Sequence, residues 1–284
     1  MKKWIIGFVI MAIVLIVPKI LKMLKQDPIM QHHRLAEEYR NKGDYTKAIA
    51  EYTEIIRLKP NYAMAYNNRG SAYHHIGNLE KALADYNKAL KLNPKEGVAY
   101  CNRGLIYSEM GKYDQSISDL NKALELKANI GEAYNALGLL YFRQYDFDKA
   151  LDYFSKAIKE DSNSSIRYLN RGLTYHNQGE YDKSIADNSK AIEIDPKYVD
   201  AYNNRGLAYD AKGERDKALA DYKKALEFDP NKYQTYYNRG MIYYDMEDYQ
   251  KAIADFQRVL KINPKHQQAQ KALEELENKL KEKK

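Results

Sequence analysis

Tyr202-Asn203-Asn204-Arg205-Gly206-Leu207-Ala208-Tyr209 decides the fold of this chain, because its pattern returns at a fixed distance. Gly70, Gly104, Gly138, Gly172, Gly206 and Gly240 stand 34 residues apart. A tyrosine follows each glycine by three residues, from Tyr73 to Tyr243, and another precedes each by four, from Tyr66 to Tyr236. Tyrosines at that spacing share one helical face, with a glycine between them where a neighbouring backbone has to come close. A period of this length, held this often, marks a stack of similar helical units.

With the unit set to begin seven residues before the glycine, the copies run 29–62, 63–96, 97–130, 131–164, 165–198, 199–232 and 233–266. Positions below are counted from the start of each copy. Positions 4, 7, 8 and 11 fall on one face of a first helix, and 20, 24 and 27 on one face of a second. Position 20 is small throughout (Ala48, Ala82, Ser116, Ala150, Ser184, Ala218, Ala252), which opens a hole to match the glycine. Gly43, Gly77, Gly111, Gly179 and Gly213 mark a tight turn between the helices, and Pro60, Pro94, Pro196, Pro230 and Pro264 close the second.

These residues resemble the tetratricopeptide repeat family over 29–266. The resemblance implies an all-α, right-handed superhelical solenoid of antiparallel helix pairs whose first helices line a concave groove. Ala269, Ala272, Leu273, Leu276 and Leu280 follow at helical spacing with charges opposite. Residues 267–284 are therefore expected to form a C-terminal capping helix and basic tail.

Three features go beyond the family signature. Position 7 carries Arg69, Arg103, Arg171, Arg205 and Arg239, matched 16 residues later by Asp85, Asp119, Asp187, Asp221 and Asp255. The two copies with Leu35 and Leu137 have Glu51 and Tyr153 there instead. A guanidinium at the border of a core needs a carboxylate, so the reading is structural ion pairs, with ligand binding as the alternative. Position 6 carries Asn68, Asn102, Asn170, Asn204 and Asn238 on the side that lines the groove in this family. A carboxamide both donates and accepts, which suits an extended peptide backbone; the alternative is a solvated residue copied by duplication. Beside it runs an apolar stripe of Leu105, Leu139, Leu173, Leu207 and Met241, with Phe142, Tyr237, Tyr244, Val98 and Ile166 facing the same way. It reads either as a partner-binding strip or as packing between first helices.

The formal charge of +7 does not belong to the repeats: residues 1–26 carry five lysines and no acid, and residues 27–266 are nearly neutral. No concentrated basic stripe exists there for phosphates, so no nucleic-acid partner is expected. Trp4 to Val17 is an unbroken apolar run behind Lys2 and Lys3, and residues to Leu24 extend it. Twenty-one residues of helix reach roughly 30 Å, one hydrocarbon thickness. No small-residue cleavage site follows, so residues 1–26 read as an uncleaved single-pass membrane anchor, with a cleaved signal as the alternative. Lysines flank both ends, and the side the repeats face stays open.

Cys101 is the only cysteine, which rules out an intrachain disulfide. The pairs His32-His33 and His74-His75 point their rings in different directions on a helix, so no metal site, cofactor or catalytic group is expected. Position 5 holds no lysine, which argues against the family's carboxylate clamp for acidic peptide termini. The chain therefore reads as a membrane-anchored scaffold that binds a protein or peptide in its groove and is not an enzyme. Self-association through end or convex faces is the alternative. Residues 145–190 are expected to be the least stable, because Tyr145 replaces the turn glycine and Asn188 replaces an aromatic at position 24.

Overall fold

The computed structural model of the chain describes residues 27–282, and all regular structure among them is α-helical. By packing, the chain divides into two compact units that meet in sequence between Ala133 and Tyr134. The first contains three helix pairs: α1 (Pro28–Asn41) with α2 (Tyr45–Leu58), α3 (Ala63–His75) with α4 (Leu79–Leu92), and α5 (Gly97–Glu109) with α6 (Tyr113–Glu125). Helix α7 (Ile130–Arg143) runs across the division and opens the second unit, where it precedes α8 (Phe147–Glu160). The pairs α9 (Ser165–Asn177) with α10 (Tyr181–Ile194), α11 (Val199–Ala211) with α12 (Arg215–Phe228), and α13 (Tyr233–Asp245) with α14 (Tyr249–Ile262) follow, before α15 (Gln267–Glu282). Within each unit a second helix also packs on the first helix that comes next. No helix among the described residues is long and apolar enough to cross a membrane, and the anchor expected at 4–24 lies outside them.

Local chemistry sets the helix ends. Asp44, Asn78, Asp146 and Asp248 each accept a hydrogen bond from the backbone N–H three residues on, capping the second helices. The turn before them needs a left-handed residue. Glycine supplies it at Gly43, Gly77, Gly111, Gly179 and Gly213, with φ between 72° and 78°. Tyr145 and Glu247 adopt the same conformation at φ 61° and 57°, against the steric cost of their Cβ.

The core repeats with the sequence. Position 24 places Tyr52, Tyr86, Leu120, Phe154, Tyr222 and Phe256 in the interior, none more than 1% exposed. From the second pair onward each of these side chains lies against the position-8 glycine of its own pair, and in the first pair Tyr52 clusters with Ala36 instead. A Cβ on Gly206 would come within 2.6 Å of the Tyr222 ring, and one on Gly138 equally close to Phe154. In those pairs contact with the second helix is what calls for glycine.

Both outward helices are polar where inner helices are apolar. Positions 3 and 10 of inner first helices hold buried side chains such as Ala65, Ala72, Ala99 and Ile106, whereas α1 has exposed Gln31 and Glu38 there. Helix α15 lies in register as a further first helix, burying Ala269 and Leu276 at the same two positions. At the glycine position it carries exposed Glu274, whose side chain leaves no room for a second helix. It closes the stack as expected.

The exit of α8, expected to be weak, is tied down by a residue the sequence reading overlooked. Arg167, 5% exposed, replaces the usual alanine at position 3. Its Nη1 donates to the carbonyls of Ala157 (3.0 Å) and Asp161 (3.3 Å) and lies 3.3 Å from the Asp161 carboxylate. A cation on the last carbonyls of a helix satisfies them and complements the helix dipole.

Candidate functional site

All five arginine–aspartate pairs form, each as a two-pronged fork. Arg205 donates Nε and Nη2 to Asp221 at 2.8 and 2.7 Å, and Arg171 does the same to Asp187 at 2.7 and 2.8 Å. Arg69–Asp85, Arg103–Asp119 and Arg239–Asp255 repeat it between 2.6 and 2.8 Å. The carboxylate hydrogen bond pushes each guanidinium pKa up against the desolvation that opposes it.

Two further partners were not legible from pair spacing alone. The spare Nη1 reaches back to position 25 of the preceding pair: Thr53 for Arg69, Asn87 for Arg103, Ser155 for Arg171 and Ser189 for Arg205. Tyrosines at positions 4 and 11 flank the guanidinium, as Tyr66 and Tyr73 do for Arg69 at 5.7 and 5.9 Å from their ring centres. Arg69, Arg103, Arg171 and Arg205 therefore each tie three helices together, whereas Arg239, with Lys223 at position 25 of the preceding pair, ties only the two of its own. Where Leu137 replaces arginine, the Tyr153 ring stacks on Tyr141 at 5.4 Å and packs by Tyr134 at 6.1 Å.

The asparagine ladder is partly spent within the chain as well. Asn102 donates to Asn67 (3.1 Å), Asn170 to Asn135 (3.0 Å) and Asn238 to Asn203 (3.1 Å), so these amides lace neighbouring first helices. Asn68 accepts from Asn67 in its own helix. Asn204 has no such bond, because the preceding copy offers Leu169 at position 5. Asparagine occupies position 5 in every second copy only, so the lacing skips alternate junctions.

The apolar stripe is half-buried at Leu105, Leu139, Leu173, Leu207 and Met241. Position 9 reaches the core side chain of position 24. Tyr52 donates its hydroxyl to Glu37 at 2.6 Å, and the Tyr86 hydroxyl bonds with Ser71. With leucine at position 9, Tyr222 is left with a buried hydroxyl that has no partner. The stripe therefore packs inward with one edge and shows the other. Phe142 turns to Phe147 at 5.6 Å, Val98 is half-buried and Ile166 is 45% exposed. Tyr237, Met241 and Tyr244 are not open groove: they pack on the cluster that holds Ala269 and Leu276. Tyr237 meets His266 at 4.9 Å, and Tyr244 accepts from Lys279 of α15 at 2.7 Å.

Among the described residues no cluster of three His, Cys, Asp or Glu side chains is placed to hold a metal ion. Burial pushes the Cys101 thiol up to about 12, so it stays protonated and unreactive.

Models of the tetratricopeptide repeat match residues 63–96, 199–232 and 233–266, and related repeat models match 36–77, 172–213 and 95–159. The chain is a tetratricopeptide repeat protein. Solved structures agree with the fold. The Cut9–Hcn1 hetero-tetramer of the APC/C gives a TM-score of 0.74 at 18% identity over 90% of this chain, which spans only 51% of that one. A repeat protein of Parabacteroides merdae gives 0.64 at 23% identity, covering 88% of this chain and 98% of that one. YrrB, described as a TPR protein with an unusual peptide-binding site, gives 0.51 at 28% identity, covering 65% and 95%. No curated protein matches the chain by sequence. The fold is that of an interaction scaffold.

Proposed function

We propose that this chain is a membrane-anchored scaffold of seven tetratricopeptide repeats that holds a peptide segment or partner protein on the face of its first helices. The anchor is the apolar run 4–24. The observation that carries the binding reading is the face of α9 and α11, which holds the unpaired Asn204 carboxamide and the part-exposed Leu173 and Leu207. An amide that both donates and accepts, set among apolar side chains, suits a peptide backbone flanked by apolar residues. The likeness to YrrB supports a peptide ligand. Assembly through the ends loses support from the exposed Gln31, Glu38, Glu274 and Glu277, which make poor stacking faces.

The test is site-specific photocrosslinking of the full chain in its native membranes. A photoreactive residue at position 204 should capture a partner, and one at the exposed Lys223 on α12 should not. Leu207→Glu should abolish capture while the helical circular dichroism stays unchanged. Capture from position 223 alone would overturn the reading.

A further inference from the structure

One end of the first unit carries an exposed apolar edge that the groove reading does not use. Met30 is 50% exposed, Met64 45% and Leu58 39%. They lie where first helices begin and second helices end: Met30 in the first turn of α1, Met64 in the first turn of α3, and Leu58 at the end of α2. Tyr62 stands among them, its hydroxyl 3.5 Å from the Met64 sulfur and its ring 4.7 Å from the Lys59 ammonium. Apolar tips, an aromatic with a polar handle and a lysine that can reach outward are the composition of a membrane–water interface.

The series along position 2 gives the edge a direction. It reads Met30, Met64, Val98 and then Glu132 in the first unit. In the second unit it reads Ile166, Asp200 and Gln234, and Asp200 is paired with Lys232 at 2.6 Å. The longest apolar run of this position therefore belongs to the copies nearest the N-terminus in sequence. Chain length reinforces the point. The apolar run ends at Leu24 and α1 begins at Pro28, so only Lys25, Gln26 and Asp27 intervene. Fully extended, that connection reaches about 14 Å.

We propose that this edge of the first unit rests on the bilayer surface, with Met30, Met64 and Leu58 dipping into the headgroup layer and Lys59 meeting anionic lipid phosphates. The proposal rests on the anchor reading. If residues 4–24 span the membrane, the short connection holds the start of α1 at the headgroups, and the side chains exposed there are the ones that gain by leaving water.

The test uses the full chain in a Cys101→Ala background, reconstituted into vesicles of equal parts phosphatidylcholine and phosphatidylglycerol. A fluorophore is placed by Met64→Cys in one variant and by Ile76→Cys in another. Ile76 is 48% exposed and sits at the opposite end of the same helix, about 18 Å away. Lipid carrying a headgroup nitroxide should quench the Met64 site several-fold more than the Ile76 site. Equal quenching in a chain that resists alkaline carbonate extraction overturns the edge contact and leaves the anchor standing. A chain released by carbonate overturns the anchor reading and the contact with it. Concentration-dependent shielding of the Met64 site in detergent assigns the edge to a second copy, which also overturns the proposal.

Discussion

The fifth and sixth helix pairs, α9–α10 and α11–α12, have the same frame around different interiors. Both carry the fork, Arg171–Asp187 and Arg205–Asp221, with matching distances. Both carry the glycine that lets the second helix approach. Inside, the sixth pair holds Ala201, Ala208, Ala218 and Tyr222, while the fifth holds Arg167, Thr174, Ser184 and Asn188, all buried. Asn188 donates to the Ser184 carbonyl at 2.9 Å but leaves its own oxygen without a partner. Tyr222 leaves its hydroxyl in the same state. The frame of ion pair, flanking tyrosines and glycine is therefore what the repeat holds constant, and the filling can change from aromatic to polar without changing the backbone plan.

The comparison breaks first at the frame. Asp221→Ala should destabilise the sixth pair by about 3 kcal/mol, because it leaves a part-buried guanidinium without its carboxylate. Arg205→Leu in the same chain should recover much of that, as Leu137 does beside Tyr153. A denaturant double-mutant cycle measures it, and coupling near zero would make the pairs passive.

The interiors come next. Asn188→Phe should stabilise the fifth pair by about 2 kcal/mol, since a ring against Gly172 adds apolar burial and removes an orphan carbonyl. Amides of 165–194 should then exchange more slowly by mass spectrometry; unchanged exchange would show that the polar filling is already optimal. A tyrosine at 188 is the poorer choice, because Leu173 at position 9 offers its hydroxyl no partner.

Position 9 sharpens the contrast further. Tyr222→Phe should stabilise by about 1 kcal/mol by removing the orphan hydroxyl, and Ser71→Leu should cost a similar amount by creating one at Tyr86. Thermal melts of the two variants should shift in opposite directions. The smallest effect expected is at the turn, where Tyr145→Gly relieves a left-handed φ and should stabilise by about 1 kcal/mol or less. A chemical denaturation midpoint that does not rise would mean that the Tyr145 ring, near Phe147 at 6.2 Å, repays the strain.

Much of the fold was legible because its determinants recur at constant spacing. Gly206, Arg205 and Asp221 sit where helix periodicity and charge balance require them, and duplication repeats that statement along the chain. The site was less legible. Asn102, Asn170 and Asn238 look identical to Asn204 in sequence, yet only Asn204 keeps a free amide. That difference depends on position 5 of the neighbouring pair, a residue 35 positions away. Tyr237 and Tyr244 looked open because nothing local says that α15 returns over them.

By itself, then, the amino-acid sequence determined the helices, their pairing, the ion-pair ladder and the polar closing helix, since these follow from periodicity, turn residues and charge neutralisation within one repeat. The tertiary structure decided which polar groups are spent and which are free. Arg167 became a helix clasp, three asparagines became rungs, and the leucine stripe turned one edge inward. Hydrogen bonds form between neighbours in space, and here the neighbour belongs to the next repeat, so its identity is settled only when the helices stack.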